Sequence, residues 1–241
     1  MLKYKKGGKV MIDIHTHILP FVDDGSGKIE DSLKMLEAEI SAGVTDVFLT
    51  PHLRDGFTTP ERELKKAFAE FLEIVKKRGL NVKLYLGQEI FLPSDKPQLN
   101  GVQQIVPLNG TKYVLIEFDF LQYVDMSDTV YEIIRLGYIP IVCHFERYFY
   151  ADFETAYNIK EMGGMIQLNA DSVMGDNKSV KNFARKLLKY GLVDFIASDI
   201  HVGRINRMAE AKAYVEKKFC TEYAEDLFYL NAKKIINKDL T

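Results

Sequence analysis

Histidine is scarce in this chain and unevenly placed. The five are His15, His17, His52, His144 and His201, and each follows or closes an apolar run of the kind that forms a buried β-strand. In Ile12-Asp13-Ile14-His15-Thr16-His17 the two imidazoles are alternate residues. On a strand they face one side, about 6 to 7 Å apart, with Asp13 behind them on that side. Two imidazoles held this way can reach one divalent cation, although a strand-end histidine can also cap or pack. Asp199-Ile200-His201 repeats the alternate spacing, and Asp24, Glu89, Glu117 and Asp199 occupy matching strand-end positions. Nine nitrogen and oxygen donors are more than one ion needs. Imidazole mixed with carboxylate, without a cysteine cluster for a closed structural site, suits Zn, Mn or Fe(II). Two or three such ions sharing carboxylates generate hydroxide near neutral pH and stabilise both oxygens of a phosphate-ester displacement. Phosphate also calls for arginine, which grips its oxygens bidentately. Arg54 follows His52, Arg147 follows His144, and Arg204 and Arg207 follow His201.

The rest of the chain must carry these groups to one place. The pattern is an apolar strand, a ligand-type residue, a helix and a glycine, then the next strand. Strands are predicted at 10–14, 44–49, 82–86, 113–116, 138–143, 165–168 and 193–197. Helices are predicted over 28–42, from Thr59-Pro60 to Gly79, and over 127–136, 153–162, 180–190, 206–219 and 221–234. Thr59 reads as a cap with Pro60 at the first helical position, and Gly43 as a left-handed stop. Residues 90–112, rich in Pro, Asn, Gly and Gln, read as irregular. Seven strands alternating with helices imply a parallel α/β sheet, and this many units points to a (β/α)7 TIM-like barrel, in which functional residues gather at the C-terminal ends of the strands. An open doubly wound sheet is the competing architecture.

Composition narrows the function classes. The chain has 241 residues, a formal net charge of -2 and a pI near 6.2, which points to neither a nucleic-acid nor a membrane surface. Cys143 and Cys220 give no disulfide framework and suit a reducing, cytoplasmic setting. Residues 1–10 read as an N-terminal extension and 11–241 as a single domain. A cysteine-dependent tyrosine phosphatase is excluded by arithmetic. Its loop needs Cys-x5-Arg, but Phe149 stands six after Cys143 and Asp226 six after Cys220. Strand alternation points Cys143 away from His144, into the core.

The ordered motifs Ile-Asp-Ile-His15-Thr-His17…Asp23-Asp24-Gly25, Thr50-Pro51-His52, Gly87-Gln88-Glu89, Ile116-Glu117-Phe118, His144-Phe-Glu-Arg147-Tyr148, Gln167-Leu-Asn169-Ala and Ser198-Asp199-Ile-His201 resemble the polymerase-and-histidinol-phosphatase superfamily. Within it they look like the branch of bacterial manganese-dependent capsular and exopolysaccharide protein-tyrosine phosphatases. The resemblance covers residues 11 to about 236. It implies a site for two or three divalent ions in a distorted (β/α)7 barrel, with manganese foremost and Fe, Zn, Co or Mg as alternatives. It also implies a ligand division: His15, His17 and Asp199 on one ion, Glu89 bridging to a second completed by Glu117 and His144, and Asp24, His52 and His201 on a third. Arg147 and an arginine after His201 would bind the phosphoryl group. The family carries that second arginine five residues after the histidine, where Asn206 stands here, flanked by Arg204 and Arg207. The implied reaction is attack of a metal-bridged hydroxide on phosphotyrosine in the tail of a bacterial tyrosine autokinase. A histidinol-phosphate phosphatase is the runner-up. A nuclease and a non-catalytic metal-binding regulator follow.

Overall fold

Strand β1 (Met11–Thr16) is buried along its whole length, and its neighbour β2 (Val44–Leu49) runs parallel to it. The computed structural model describes residues 10–99 and 105–238, so the extension expected at residues 1–10 lies, apart from Val10, outside the described residues. Helix α1 (Ile29–Ala42) joins the two strands. It ends where Gly43 takes φ 95°, and the Gly43 N–H closes on the carbonyls of Glu39 and Ile40.

Beyond β2 the chain forms β3 (His52–Leu53), α2 (Glu61–Lys77), β4 (Lys83–Leu86), β5 (Glu89–Leu92), β6 (Tyr113–Phe118), α3 (Met126–Arg135) and β7 (Ile139–Val142). Then come α4 (Phe153–Glu161), β8 (Met165–Asn169), α5 (Ala170–Met174), α6 (Lys178–Lys189), β9 (Phe195–Ala197), α7 (Met208–Lys218), α8 (Thr221–Glu225) and α9 (Asn231–Asn237). Every pair of named strands is parallel, in the orders β1-β2-β4 and β3-β5-β6-β7-β8-β9. The two sets join at both ends. Gly87 N–H donates to Leu49 O (3.0 Å) and Glu89 N–H to Pro51 O (3.2 Å), so β3 and β5 prolong β2 and β4. At the other end Asp199 N–H donates to His15 O (2.9 Å) and His17 N–H to Ile200 O (3.1 Å). The result is a curled parallel sheet. Ile12, Ile14, Phe48, Leu115, Ile141 and Phe195 fill its inside, while Met11, Val47, Val114, Val142 and Ile196 pack outward into the helical layer. Among the described residues no helix is long and apolar enough to cross a membrane.

Four local expectations change. Residues 90–92, read as the start of an irregular stretch, belong with Glu89 to β5, because β3 and β6 pair with it on both sides. Pro60 stands one place before the first helical residue, with extended ψ 144°, so it caps α2 from outside. The helix expected over 221–234 is interrupted by a π turn at Asp226–Leu230, which buries Phe228 completely. Finally, alternation fails at the end of β1. A register shift between Asp13 and Thr16 turns Asp13 away from the histidine side, where it accepts from the backbone N–H of His15 and Ser198.

Candidate metal centre

All nine donors read from the sequence meet at the C-terminal mouth of the curled sheet. Glu89 is the hub. Its Oε2 lies 3.3 Å from His15 Nε2, 3.2 Å from His17 Nε2 and 2.9 Å from His52 Nδ1, and its Oε1 lies 2.8 Å from His144 Nε2. Asp199 Oδ1 is 3.7 Å from His15 Nε2 and 3.5 Å from both His17 Nε2 and His201 Nδ1. Glu117 stands 3.6 Å from His52 and 3.9 Å from His144, and Asp24 3.6 and 3.7 Å from the Nε2 atoms of His52 and His201. Four sets gather tightly enough to share an ion: His15, His17 and Asp199; His17, Asp24, His52 and His201; His52, Glu89 and Glu117; and His15, Glu89, Cys143 and His144.

The donor set fits divalent metals. Glu89 Oε2, Glu117 Oε2, His52 Nδ1 and His144 Nδ1 are buried without a hydrogen-bonding partner, a costly arrangement that cations would relieve. Charge tells the same story. Burial, and then the neighbouring Glu89 charge, push the Glu117 carboxyl up to about 8. Burial alone would lift Glu89 as well, but the imidazoles of His15 and His52 hold it well below the usual range. Burial and the charge of His17 press His201 down to about 4, the neutral form a metal requires.

The supporting residues fix the rings. His17 Nδ1 donates to Asp23 Oδ2 (2.7 Å), and His15 Nδ1 to Gln167 Oε1 (3.0 Å), which leaves both Nε2 atoms aimed inward. Gln167 also accepts from His144 N–H and donates to Asn169, which donates to Asp199 Oδ2. The sequence reading gave Asp23 and Gln167 no role. Both stood inside motifs that carry the family resemblance, Asp23 next to a ligand candidate and Gln167 near a strand end, with nothing in either motif to say what they hold. Gly25 is also required, because a Cβ there would lie 2.1 Å from His17 O.

The arginines divide. Arg147 Nη1 reaches Asp199 Oδ2 at 3.3 Å with its guanidinium 4.8 Å from the Phe120 ring centre, and Arg204 Nη1 reaches the same oxygen at 3.0 Å. Beside them opens a cleft of about 470 Å³ whose lining includes Asn169, Asp171 and Ser172. Arg207, expected among the phosphate-binding arginines, is turned elsewhere. Its Nε and Nη1 are taken by Asp171 and Glu210, each at 2.9 Å, so it does not join the centre. Arg54 is paired with Asp24 at 2.8 Å.

Cys143 also departs from its expected place. It keeps the inward face of Ile139 and Ile141, while His144 adopts left-handed φ 34° and swings its ring to the same side. Asp199, at φ 50°, is held in the same uncommon region. Both strained residues are donors.

The family model for capsular polysaccharide synthesis, CpsB/CapC, matches residues 11–237. The chain belongs to this CpsB/CapC family. It is 34% identical to the tyrosine-protein phosphatase CpsB of Streptococcus agalactiae over 238 residues, 94% of this chain and 98% of that one. It is 32% identical to the tyrosine-protein phosphatase YwqE of Bacillus subtilis, over 88% of this chain and 86% of that one. A solved structure from work on YwqE of B. subtilis and CpsB of Streptococcus pneumoniae, described as metal-dependent tyrosine phosphatases, superposes with a TM-score of 0.81 at 29% identity, covering 94% and 93% of the two chains. The histidinol phosphate phosphatase of Lactococcus lactis shares the fold, with a TM-score of 0.55 at 15% identity over 90% and 93% of the two chains.

Directly behind the centre of this CpsB/CapC chain, Glu39 of α1 is fully buried, and neither of its oxygens has a well-formed hydrogen bond. Burial and then the charge of Asp13 push its carboxyl well above 4.5, while burial lifts Asp13 to about 6. Folding therefore favours the protonated form. The stability this contributes is present below the unfolded pKa and is lost as pH rises toward the raised folded value. Glu39→Gln needs no proton, so it is expected to raise the thermal midpoint by roughly 3 °C at pH 8 and by less near pH 5. Equal gains at both pH values in calorimetry would show that Glu39 is not held protonated.

Proposed function

We propose that this chain is a metal-dependent protein-tyrosine phosphatase that acts on a bacterial tyrosine kinase in capsule or exopolysaccharide synthesis. One observation carries the reading: nine metal-type donors and two arginines converge on a single mouth, and Asp199 belongs to both sets. The relatives named tyrosine-protein phosphatases, at 34% and 32% identity, support the substrate class. The joins of β1 to β9 and of β3 and β5 to their parent strands support a closed barrel of seven strand positions. The described residues from 11 to 99 and from 105 to 238 are read as one barrel domain. Two reduced thiols suit a cytoplasmic enzyme.

His15, His17, Asp24, His52, Glu89, Glu117, His144, Asp199 and His201 would hold two or three divalent ions, manganese foremost. When bound, these ions supply the charge that activates water and neutralises phosphoryl oxygens. The protein's own groups do the positioning. Arg147 and Arg204 enter from one side of Asp199 and grip the non-bridging oxygens as charge builds on them. Asp199 holds both guanidiniums in place with one oxygen and faces the imidazoles with the other. Rings step outward from His144 through Phe120, Tyr148 and Tyr150 to the exposed Tyr123 and Phe149, a surface suited to an aryl leaving group on a polypeptide. The phenolate is a fairly good leaving group and asks little of an acid.

The test compares a phosphotyrosyl peptide with histidinol phosphate, with Mn²⁺ and with chelator. Chelator-sensitive turnover favouring the peptide at least about tenfold in kcat/KM is expected. Preference for histidinol phosphate would move the same centre to amino-acid biosynthesis.

A further inference from the structure

The thiol of Cys143 lies inside the donor cluster. Its Sγ is 3.1 Å from Glu89 Oε1 and 3.2 Å from His144 Nε2, and the residue is fully buried. Two donors bound to one ion, with metal–sulfur near 2.3 Å and metal–nitrogen near 2.1 Å, stand about 3.1 to 3.6 Å apart. The observed spacings fall in that interval. Around the sulfur, the donor atoms of His15, Glu89 and His144 lie within 4.8 Å of one another and of the thiol. The same carboxylate carries a further feature that a cation would relieve: its other oxygen, Oε2, is buried without a well-formed hydrogen bond, 3.3 Å from His15 Nε2. The backbone makes the arrangement possible. Alternation keeps Cys143 on the inner face, and the left-handed turn at His144 brings two consecutive residues to bear on one point. A cysteine kept only for packing would have no need of three ligand-type neighbours. Here the thiol's other contact, donation to Ile116 O at 3.0 Å, is one that coordination can replace.

We infer that Cys143 Sγ is a further ligand of the ion held by His144 and Glu89, giving the centre one soft donor. The inference rests on the reading of the cluster as a metal centre. Coordination exchanges the S–H bond for a sulfur–metal bond and releases one proton to solvent. A thiolate shifts preference from manganese toward zinc, iron(II) or cobalt(II), because soft sulfur suits those ions better.

Cobalt(II) reports this directly. The purified full-length protein loaded with cobalt is expected to show a near-ultraviolet sulfur-to-cobalt charge-transfer band besides the visible d–d bands. The exposed thiol serves as the control: Cys220→Ala retains the charge-transfer band. Cys143→Ser and Cys143→Ala lose it and keep the d–d bands, and their zinc-over-manganese preference falls by about tenfold. Visible d–d bands without charge transfer in the wild type would overturn the assignment, and this needs no variant to fold. A charge-transfer band that survives Cys143→Ala would overturn it too. A protein that takes up no cobalt at all would instead remove the metal centre itself.

Discussion

Glu89→Gln is expected to lower kcat on a phosphotyrosyl peptide by at least about a thousandfold, some 4 kcal/mol of transition-state stabilisation. Glu89 approaches four imidazoles within 3.3 Å, more than any other carboxylate of the cluster. Glutamine matches its shape but withdraws the negative charge that balances the cluster. It also turns one acceptor into an N–H₂ group that repels a cation. With the hub gone, His15, His17, His52 and His144 face one another without compensation, and affinity for at least one ion falls. Steady-state kinetics in excess Mn²⁺, paired with metal analysis of the purified variant, separates the two contributions. Loss of activity together with loss of bound metal is the expected pairing. Full metal content with activity within tenfold of wild type would show that Glu89 is peripheral.

The arginines supply the second large effect. Arg147→Ala and Arg204→Ala are each expected to reduce kcat/KM about a hundredfold, the usual scale for removing one donor to developing negative charge. Arg207→Ala is expected to change it less than about threefold, because an exposed ion pair contributes little. The reason is geometric. Arg147 and Arg204 share Asp199 Oδ2, whereas Arg207 is engaged by Asp171 and Glu210. Kinetics of the three variants on one aryl phosphate decide the matter, and an Arg207→Ala loss matching Arg204→Ala would refute the division. Arg147 carries one further expectation. Its guanidinium lies over Phe120, so Arg147→Lys, which loses both the planar fork and the stacking, should recover only a small part of the activity.

Much of this site is visible in the one-dimensional order of residues. Apolar runs of five or six residues, each ending in a polar donor and separated by amphipathic segments with glycine stops, already place His15, His17, His52, His144 and His201 at one end of a parallel sheet. Strand and helix periods are local properties, set by backbone geometry within a few residues, and they hold for β2, β4 and β6 to β9 and for α1 to α4, α6 and α7. The short β3 and β5 were not legible. Two to four residues carry too little pattern, and their strand geometry depends on partners supplied by distant segments. Gln167 was hidden for a similar reason. Its value lies in accepting from His15, 152 residues away in the chain.

The sequence by itself determined the donor types, their strand-end spacing and the parallel α/β class, because those follow from alternation and composition. Only the tertiary structure decided which donors stand close enough to share an ion, which arginines stand beside Asp199, and that Cys143 faces the centre. Alternation is reliable only while the backbone stays in the β region. It is broken by a register shift in β1 and by left-handed turns at His144 and Asp199, the residues whose side chains must be aimed.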